Sequence, residues 1–264
     1  MSAEKVKLIP RPSHERGHAD HGWLKTFHTF AFAAYTDWNH MQFGSLRVIN
    51  EDRVEPHTGF GTHGHREFEI FSYVVAGELQ HKDSMGNVEV LKRGDLQMTS
   101  AGTGIRHSEH SHGDKQVHFL QIWAQPGQSG LKPQYFTRHF TDDEKKDRWA
   151  KIVAPLGDDD VSTDREAAGA APVHAPLALY ASLVSPGRAV AHTAQRHKAY
   201  LHLIQTSGYN PGNATGGAVT VSVAGQQTTL REGDGCYVHL TPGVEIKVEN
   251  TGDRIAEVVL FDLE

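Results

Sequence analysis

The stretch Gly59–Glu78, GFGTHGHREFEIFSYVVAGE, contains the pattern that decides the fold. Glycines and a threonine lead into two histidines one residue apart, His63 and His65, and an apolar run follows at 69–76. A run of β-branched and aromatic residues bounded by glycine is typical of a strand. We therefore expect a buried strand with a His-x-His pair just before its start.

Similar short apolar runs recur along the chain, with turn residues between them. Gly86-Asn87 is typical of a hairpin, and the segment 115–126, KQVHFLQIWAQP, alternates as a strand does. Short strands with turns at this spacing predict an antiparallel sandwich or barrel. Helical periodicity is scarce, and the segment 142–149 predicts one helical turn.

The domain organisation follows from a change of composition in the middle of the chain. Its 264 residues suit one large domain or two ordinary ones. The segment 141–175 is charged and then rich in alanine and glycine, and we interpret it as a junction. We therefore predict an amino-terminal domain over 1–140 and a carboxy-terminal domain over 176–264.

Composition limits the classes of function. The chain has 26 basic and 32 acidic residues without a basic stripe, which argues against direct binding of nucleic acid. No apolar run reaches membrane-spanning length, and the first residues contain no signal-peptide core. The single cysteine, Cys236, is expected to be buried and inert. A cytoplasmic location is the simplest prediction, or a nuclear one in a eukaryote.

A second pair of potential metal ligands follows a glycine-rich turn in the segment 101–110, AGTGIRHSEH. Here His107 and Glu109 have the same spacing as His63 and His65, and residues two apart on a strand share a face. If the two segments pair, three imidazoles and a carboxylate converge. Such a set suits a first-row transition metal. The alternative is a group of strand-edge histidines that bind no metal.

The two halves of the chain repeat one pattern, but the second half lacks this set. Each half has an apolar strand, a hairpin and then a Gly-Asp turn, at 94–95 and at 233–234. When these turns are aligned, His107 falls opposite Ile246, and no His-x-His pair precedes the second turn. We therefore expect the carboxy-terminal domain to lack metal ligands.

Three stretches, 15–35, 59–87 and 94–111, resemble the pirin family of the cupin superfamily. The resemblance covers nearly the whole chain and is strongest over 16–123. It is nearer to bacterial pirins with quercetin 2,3-dioxygenase activity than to animal pirins that act as nuclear co-regulators. The family implies an all-β bicupin fold: two stacked antiparallel β-barrels of the jelly-roll type with a few short helices, and a metal in the amino-terminal barrel.

The resemblance also implies roles for individual residues. His63, His65, His107 and Glu109 match the metal ligands of the family, with Fe(II) as the favoured ion and Mn, Ni, Co, Cu and Zn as alternatives. Glu109 is also the candidate catalytic base. Glu69, which lies where the general cupin pattern has a carboxylate ligand, is expected to have a structural or supporting role.

The implied activity is the opening of a flavonol ring with dioxygen and release of carbon monoxide, by a monomer with a flavonol-like substrate. One alternative is an iron-binding, redox-sensing co-regulator with a protein partner, and another is a cupin that acts on a different small molecule. Phe68, Phe71 and Tyr73 are candidates for the walls of an apolar pocket, although strand alternation turns only some of them inward. His81, close to a hairpin, is expected at the surface.

Overall fold

The computed structural model describes residues 6–264, so the first five residues of the predicted domain 1–140 lie outside the described residues. The predicted all-β class is confirmed. The described helices are a 3-10 turn at Ser13–Glu15 and one short α-helix, and none could cross a membrane.

In chain order the elements are β1 Lys7–Arg11, β2 Gly17–Asp20, β3 Leu24–His28, β4 Leu46–Val54, β5 Gly59–His65, β6 Glu69–Ala76, β7 Glu78–Asp83, β8 Val88–Lys92, β9 Asp95–Ser100, β10 Ile105–Ser111, β11 Val117–Ala124, β12 Gln134–His139, α1 Asp142–Lys145, β13 Ala150–Pro155, β14 Ala171–Val173, β15 Leu177–Val184, β16 Ala189–Thr193, β17 Lys198–Leu203, β18 Ala218–Val223, β19 Gln226–Arg231, β20 Gly235–His239, β21 Glu245–Asn250 and β22 Ala256–Leu263.

The described chain divides into two compact units. The amino-terminal unit consists of 17–140 and 154–176, and the carboxy-terminal unit consists of 6–16, 141–153 and 177–264. Each unit is built from two separate sheets rather than from one closed barrel.

The amino-terminal unit is a sandwich of a seven-stranded and a four-stranded sheet. The strand orders are β12-β9-β6-β11-β4-β3-β2 and β5-β10-β7-β8. Val54 and Phe119 of the larger sheet pack in one apolar core with Leu79 and Leu91 of the smaller sheet. Burial of apolar residues from both inner faces is what holds two such sheets together.

The carboxy-terminal unit repeats this arrangement. Six strands follow the order β1-β20-β17-β22-β15-β13, and the second sheet has the order β16-β21-β18-β19. Leu201 and Leu260 share a core with Val221 and Val248 of the second sheet. Strand β1 pairs with β20 in this unit, although β1 falls within the predicted domain 1–140.

The predicted junction 141–175 is ordered structure. Its helical turn is confirmed at α1, where the Thr141 hydroxyl accepts the Glu144 N–H and the Glu144 carboxylate accepts the Thr141 N–H. This reciprocal pair is a capping box, which satisfies donors at the helix start. The later part of the segment belongs to the amino-terminal unit, where the His174 N–H donates to the buried Glu69 carboxylate at 3.1 Å.

Candidate metal centre

Strand β10 lies between β5 and β7 and positions the candidate ligands. His107 pairs with His63 across to β5, and Glu109 pairs with His81 across to β7. The β5–β10 register shifts between His107 and Glu109, which indicates a bulge at the site. Residues far apart in the sequence therefore face one another across three adjacent strands.

Three imidazoles converge at this place. The ligand nitrogens of His63, His65 and His107 all lie within 4.8 Å of one another, and Nε2 of His63 is 3.2 Å from Nε2 of His107. The Nδ1–H of His63 donates to the Gly61 carbonyl at 2.8 Å. That hydrogen bond leaves the lone pair of His63 Nε2 directed at the cluster.

The electrostatic environment keeps two of these rings neutral. The pKa of His107 is lowered to about 3, mainly by burial and also by the nearby His81 and His63, against the effect of Asp83. Burial also lowers the pKa of His65 to about 4, assisted by His107 and His63. Neutral imidazole is the form that binds a metal, so no proton has to leave either ring near neutral pH.

The Glu109 carboxylate is buried and held by three donors. Oε1 accepts hydrogen bonds from Gln97 Nε2 at 2.5 Å and from Ser72 Oγ at 3.1 Å, and Oε2 accepts one from Gln121 Nε2 at 2.8 Å. Its ligand oxygen forms a second group with His107 and His81, within the same 4.8 Å limit. The four predicted ligands are therefore divided between two groups of three residues. One is His63, His65 and His107, the other is His81, His107 and Glu109, and His107 belongs to both.

The prediction that His81 is a surface residue is wrong. Its side chain is fully buried, its Nε2 is 3.2 Å from Asp83 Oδ2, and its ring stacks on Tyr135 with centroids 4.9 Å apart. The signal in the sequence was strand alternation, because Leu79 and His81 share the inward face of β7. The surface prediction rested instead on the position of His81 close to a hairpin.

The donor set fits a divalent transition metal. Two nitrogens that each lie about 2.0–2.1 Å from one ion are about 3 Å apart, close to the separation of His63 and His107. Nδ1 of His107 is buried without a hydrogen-bond partner among residues 6–264, so no competing bond turns this ring away from the cluster. Imidazole nitrogens with a nearby carboxylate suit Fe, Ni, Cu and Zn.

The histidine cluster opens into a cavity of about 240 Å³ in the amino-terminal unit. Its apolar walls include Phe32, Phe60 and Trp123, and the ring of Trp123 contacts that of His65 with centroids 4.8 Å apart. The complete lining is His21, Leu24, Thr26, His28, Phe32, Ala33, Asn50, Asp52, Phe60, His63, His65, Glu109, Gln121 and Trp123.

The residues predicted to line the pocket do not line it. Phe71 and Tyr73 are fully buried, while Ser72 between them bonds to Glu109, so alternation turns the two rings to the opposite face of β6. Phe68 lies beyond the cavity wall, where its ring packs on Trp123. The aromatic residues of the cavity come instead from β5, β11 and the loop after β3.

The carboxy-terminal unit has a different arrangement at the corresponding place. Ile246 pairs with His192 across β21 and β16, as His107 pairs with His63. His192 Nε2 lies 2.8 Å from Asp262 Oδ2. Within residues 6–264, the groups of three potential ligands occur in the amino-terminal unit.

The comparisons with known proteins agree with this geometry. The family model Pirin matches residues 10–124. A protein of Escherichia coli strain K12 named quercetin 2,3-dioxygenase is 36% identical over 255 residues, which cover 96% of this chain and 97% of the relative. The chain belongs to the pirin family.

Solved structures of a bacterial pirin have the same fold. The crystal structure of YhhW from Escherichia coli matches with a TM-score of 0.80 and 33% identity over 98% of both chains. The structure of the same pirin in complex with nickel(II) matches with a TM-score of 0.79 and 34% identity, over 97% of this chain and 99% of that one.

A substitution at Gly59 tests how this member of the pirin family holds β5 against β10. A Cβ at Gly59 would lie 2.3 Å from the Glu109 carbonyl oxygen, whereas one at Gly61 would have open space. We expect Gly59→Ala to lower the free energy of unfolding by about 1–3 kcal/mol, because the backbone must shift. Gly61→Ala, the matched control, should change it by less than about 0.5 kcal/mol. Urea unfolding checks this, and equal midpoints for the two variants would contradict it.

The amide that holds Glu109 offers a second prediction. Gln97 is fully buried and donates to Glu109 Oε1, so Gln97→Leu removes this donor and leaves the carboxylate less well oriented. We expect the affinity for a divalent metal to fall about 10–100-fold, as is usual when a partner of a ligand is lost. Gln116→Leu removes a hydrogen bond to Glu55 instead and is the control. Competition with a chelator measures both, and equal affinities would argue against the role of Gln97.

Proposed function

We propose that this chain is a metal-dependent dioxygenase of the pirin type, which opens flavonols such as quercetin with dioxygen and releases carbon monoxide. The observation that carries the proposal is a cluster of three imidazoles facing a cavity with aromatic walls. The relative named quercetin 2,3-dioxygenase, similar over almost the full length of both chains, supports the same activity.

His63, His65 and His107 would hold the metal, with Glu109 as the carboxylate ligand beside them. The nickel(II) complex of the related pirin supports a divalent ion, and we propose Fe(II). When bound, such an ion supplies Lewis acidity and access to dioxygen chemistry.

The residues of the chain perform the remaining tasks. Phe32, Phe60 and Trp123 form an apolar wall suited to flat aromatic rings, and they exclude water from the reacting edge of the ligand. Glu109 faces this cavity, and its Oε2 accepts one hydrogen bond, from Gln121. One lone pair of Oε2 is left, with which Glu109 would bind the metal or, once released from it, accept the proton of the substrate 3-hydroxyl.

Oxygen-dependent loss of the quercetin absorption band, with detection of carbon monoxide in the headspace, tests the proposal. We expect turnover and carbon monoxide from iron-loaded protein, and neither from metal-free protein or from Glu109→Ala. A protein shown to hold iron that leaves quercetin unchanged would overturn the proposed activity.

A further inference from the structure

One wall of the cavity is formed by the adjacent strands β3, β4 and β11. Their registers place two rows of side chains across it. In the first row Asp52 lies between Thr26 and Phe119, and in the second row Asn50 lies between His28 and Gln121. Asp52 and Asn50 are two apart on β4 and both face the cavity.

The polar side chains of the second row are engaged with protein partners. His28 Nδ1 lies 2.8 Å from Asn50 Oδ1. Gln121 uses its amide group to hold Glu109 at 2.8 Å. His28 and Asn50 are thus bonded to each other within the wall, and the amide group of Gln121 is bonded to the candidate ligand Glu109.

Asp52 differs from them. Only 4% of the residue is exposed, it lines the cavity, and its Oδ1 atom has no hydrogen-bond partner among the described residues. A buried carboxyl oxygen without a donor costs free energy, because it has lost its bonds to water. Such a group facing an apolar cavity is suited to a ligand that brings its own donor.

We propose that Asp52 binds the flavonol substrate, accepting a hydrogen bond from a phenolic hydroxyl and so fixing the orientation in which the rings enter the cavity. The ligand class rests on the proposed function, and the role of Asp52 rests on its burial and unpaired oxygen. Asp52 would then determine specificity: it favours hydroxylated flavonoids over unsubstituted ones, because an unsubstituted ring leaves its oxygen unpaired.

The protonation behaviour of Asp52 agrees with this role. The pKa of this carboxyl is raised to about 7, mainly by burial and also by the charges of Glu109 and Glu51, against the effect of the Thr26 side chain. The group is therefore present in both protonation states near neutral pH. As a carboxylate it accepts a phenolic hydrogen bond, and as an acid it still offers a carbonyl oxygen.

Binding to metal-free protein tests the proposal separately from catalysis. The dissociation constants of quercetin and of flavone, which has the same rings without hydroxyls, are measured by quenching of tryptophan fluorescence. We expect wild type to bind quercetin more tightly than flavone. In Asp52→Ala the ratio of the flavone to the quercetin dissociation constant should fall about tenfold. Asp52→Asn keeps a neutral acceptor and should lose less.

Flavone binding shows whether the cavity of each variant is intact. Glu51→Gln is the matched control, because this neighbour is also buried but is paired with His118 at 3.0 Å. It should keep the wild-type preference. The proposal is overturned if wild type does not prefer quercetin, if Asp52→Ala binds flavone and keeps the preference, or if Asp52→Ala fails to fold and Asp52→Asn keeps the full preference. Failure of turnover alone, with the preference intact, would overturn the dioxygenase activity and leave the role of Asp52 standing.

Discussion

Replacement of His107 by alanine is expected to remove metal binding and quercetin turnover together. His107 is the residue that the two groups of potential ligands share, one with His63 and His65 and the other with His81 and Glu109. Loss of His107 removes a ligand nitrogen from both groups, so neither group retains three potential ligands. We expect metal affinity to fall by more than the roughly 100-fold seen for loss of a supporting partner.

Metal content after equilibration with a chelator measures this effect, alongside the rate of quercetin loss. His110→Ala is the matched control, because His110 lies on the same strand at the position that the alternation turns away from His107 and Glu109. It should retain metal and turnover. A His107→Ala variant with wild-type metal content would exclude this site as the metal centre.

The second large effect concerns stability rather than activity. Asp52 has a pKa of about 7 in the folded protein and an ordinary value of 3.8. Between these values the folded state binds the additional proton, so the free energy of unfolding decreases as pH rises from about 4 to 7. Above pH 7 the buried carboxylate is ionised, and the full free-energy cost of removing its charge from water opposes folding.

Asp52→Asn removes this titration while keeping the size of the side chain. We expect the variant to gain stability relative to wild type as the pH is raised, by roughly 2–4 kcal/mol between pH 4 and pH 8. Urea unfolding of both metal-free proteins over this pH range provides the measurement. A stability difference that stays constant with pH would show that Asp52 titrates at its ordinary value.

Strand alternation made the fold class and three converging histidines predictable. The spacing of His63 with His65 and of His107 with Glu109 requires that each pair share a face, and the β5–β10 register brings the histidines together. That two residues of one pair share a face follows from a single strand. That the two pairs converge depends on the pairing of β5 with β10, which the resemblance to the pirin family implied.

What the sequence did not reveal depends on pairing between distant strands. Asp52 faces the cavity because β4 lies between β3 and β11, and no local pattern marks it. Phe71 and Tyr73 point away because Ser72 points in, and which face of β6 is inward is set by the opposing sheet. For a strand buried on both faces, composition does not distinguish the two sides.

The interleaving of the two units along the chain has a consequence for synthesis on the ribosome. All residues of the amino-terminal unit have been made once residue 176 has emerged, so this unit can fold early. Strand β1 is made before this unit, whereas its hydrogen-bonding partner β20 is made after it. Strand β1 must therefore wait for β20 while the whole amino-terminal unit is made. A message cut short between residue 176 and β20 would yield a nascent chain in which β1 lacks the strand β20, although all residues of the candidate metal centre have been made.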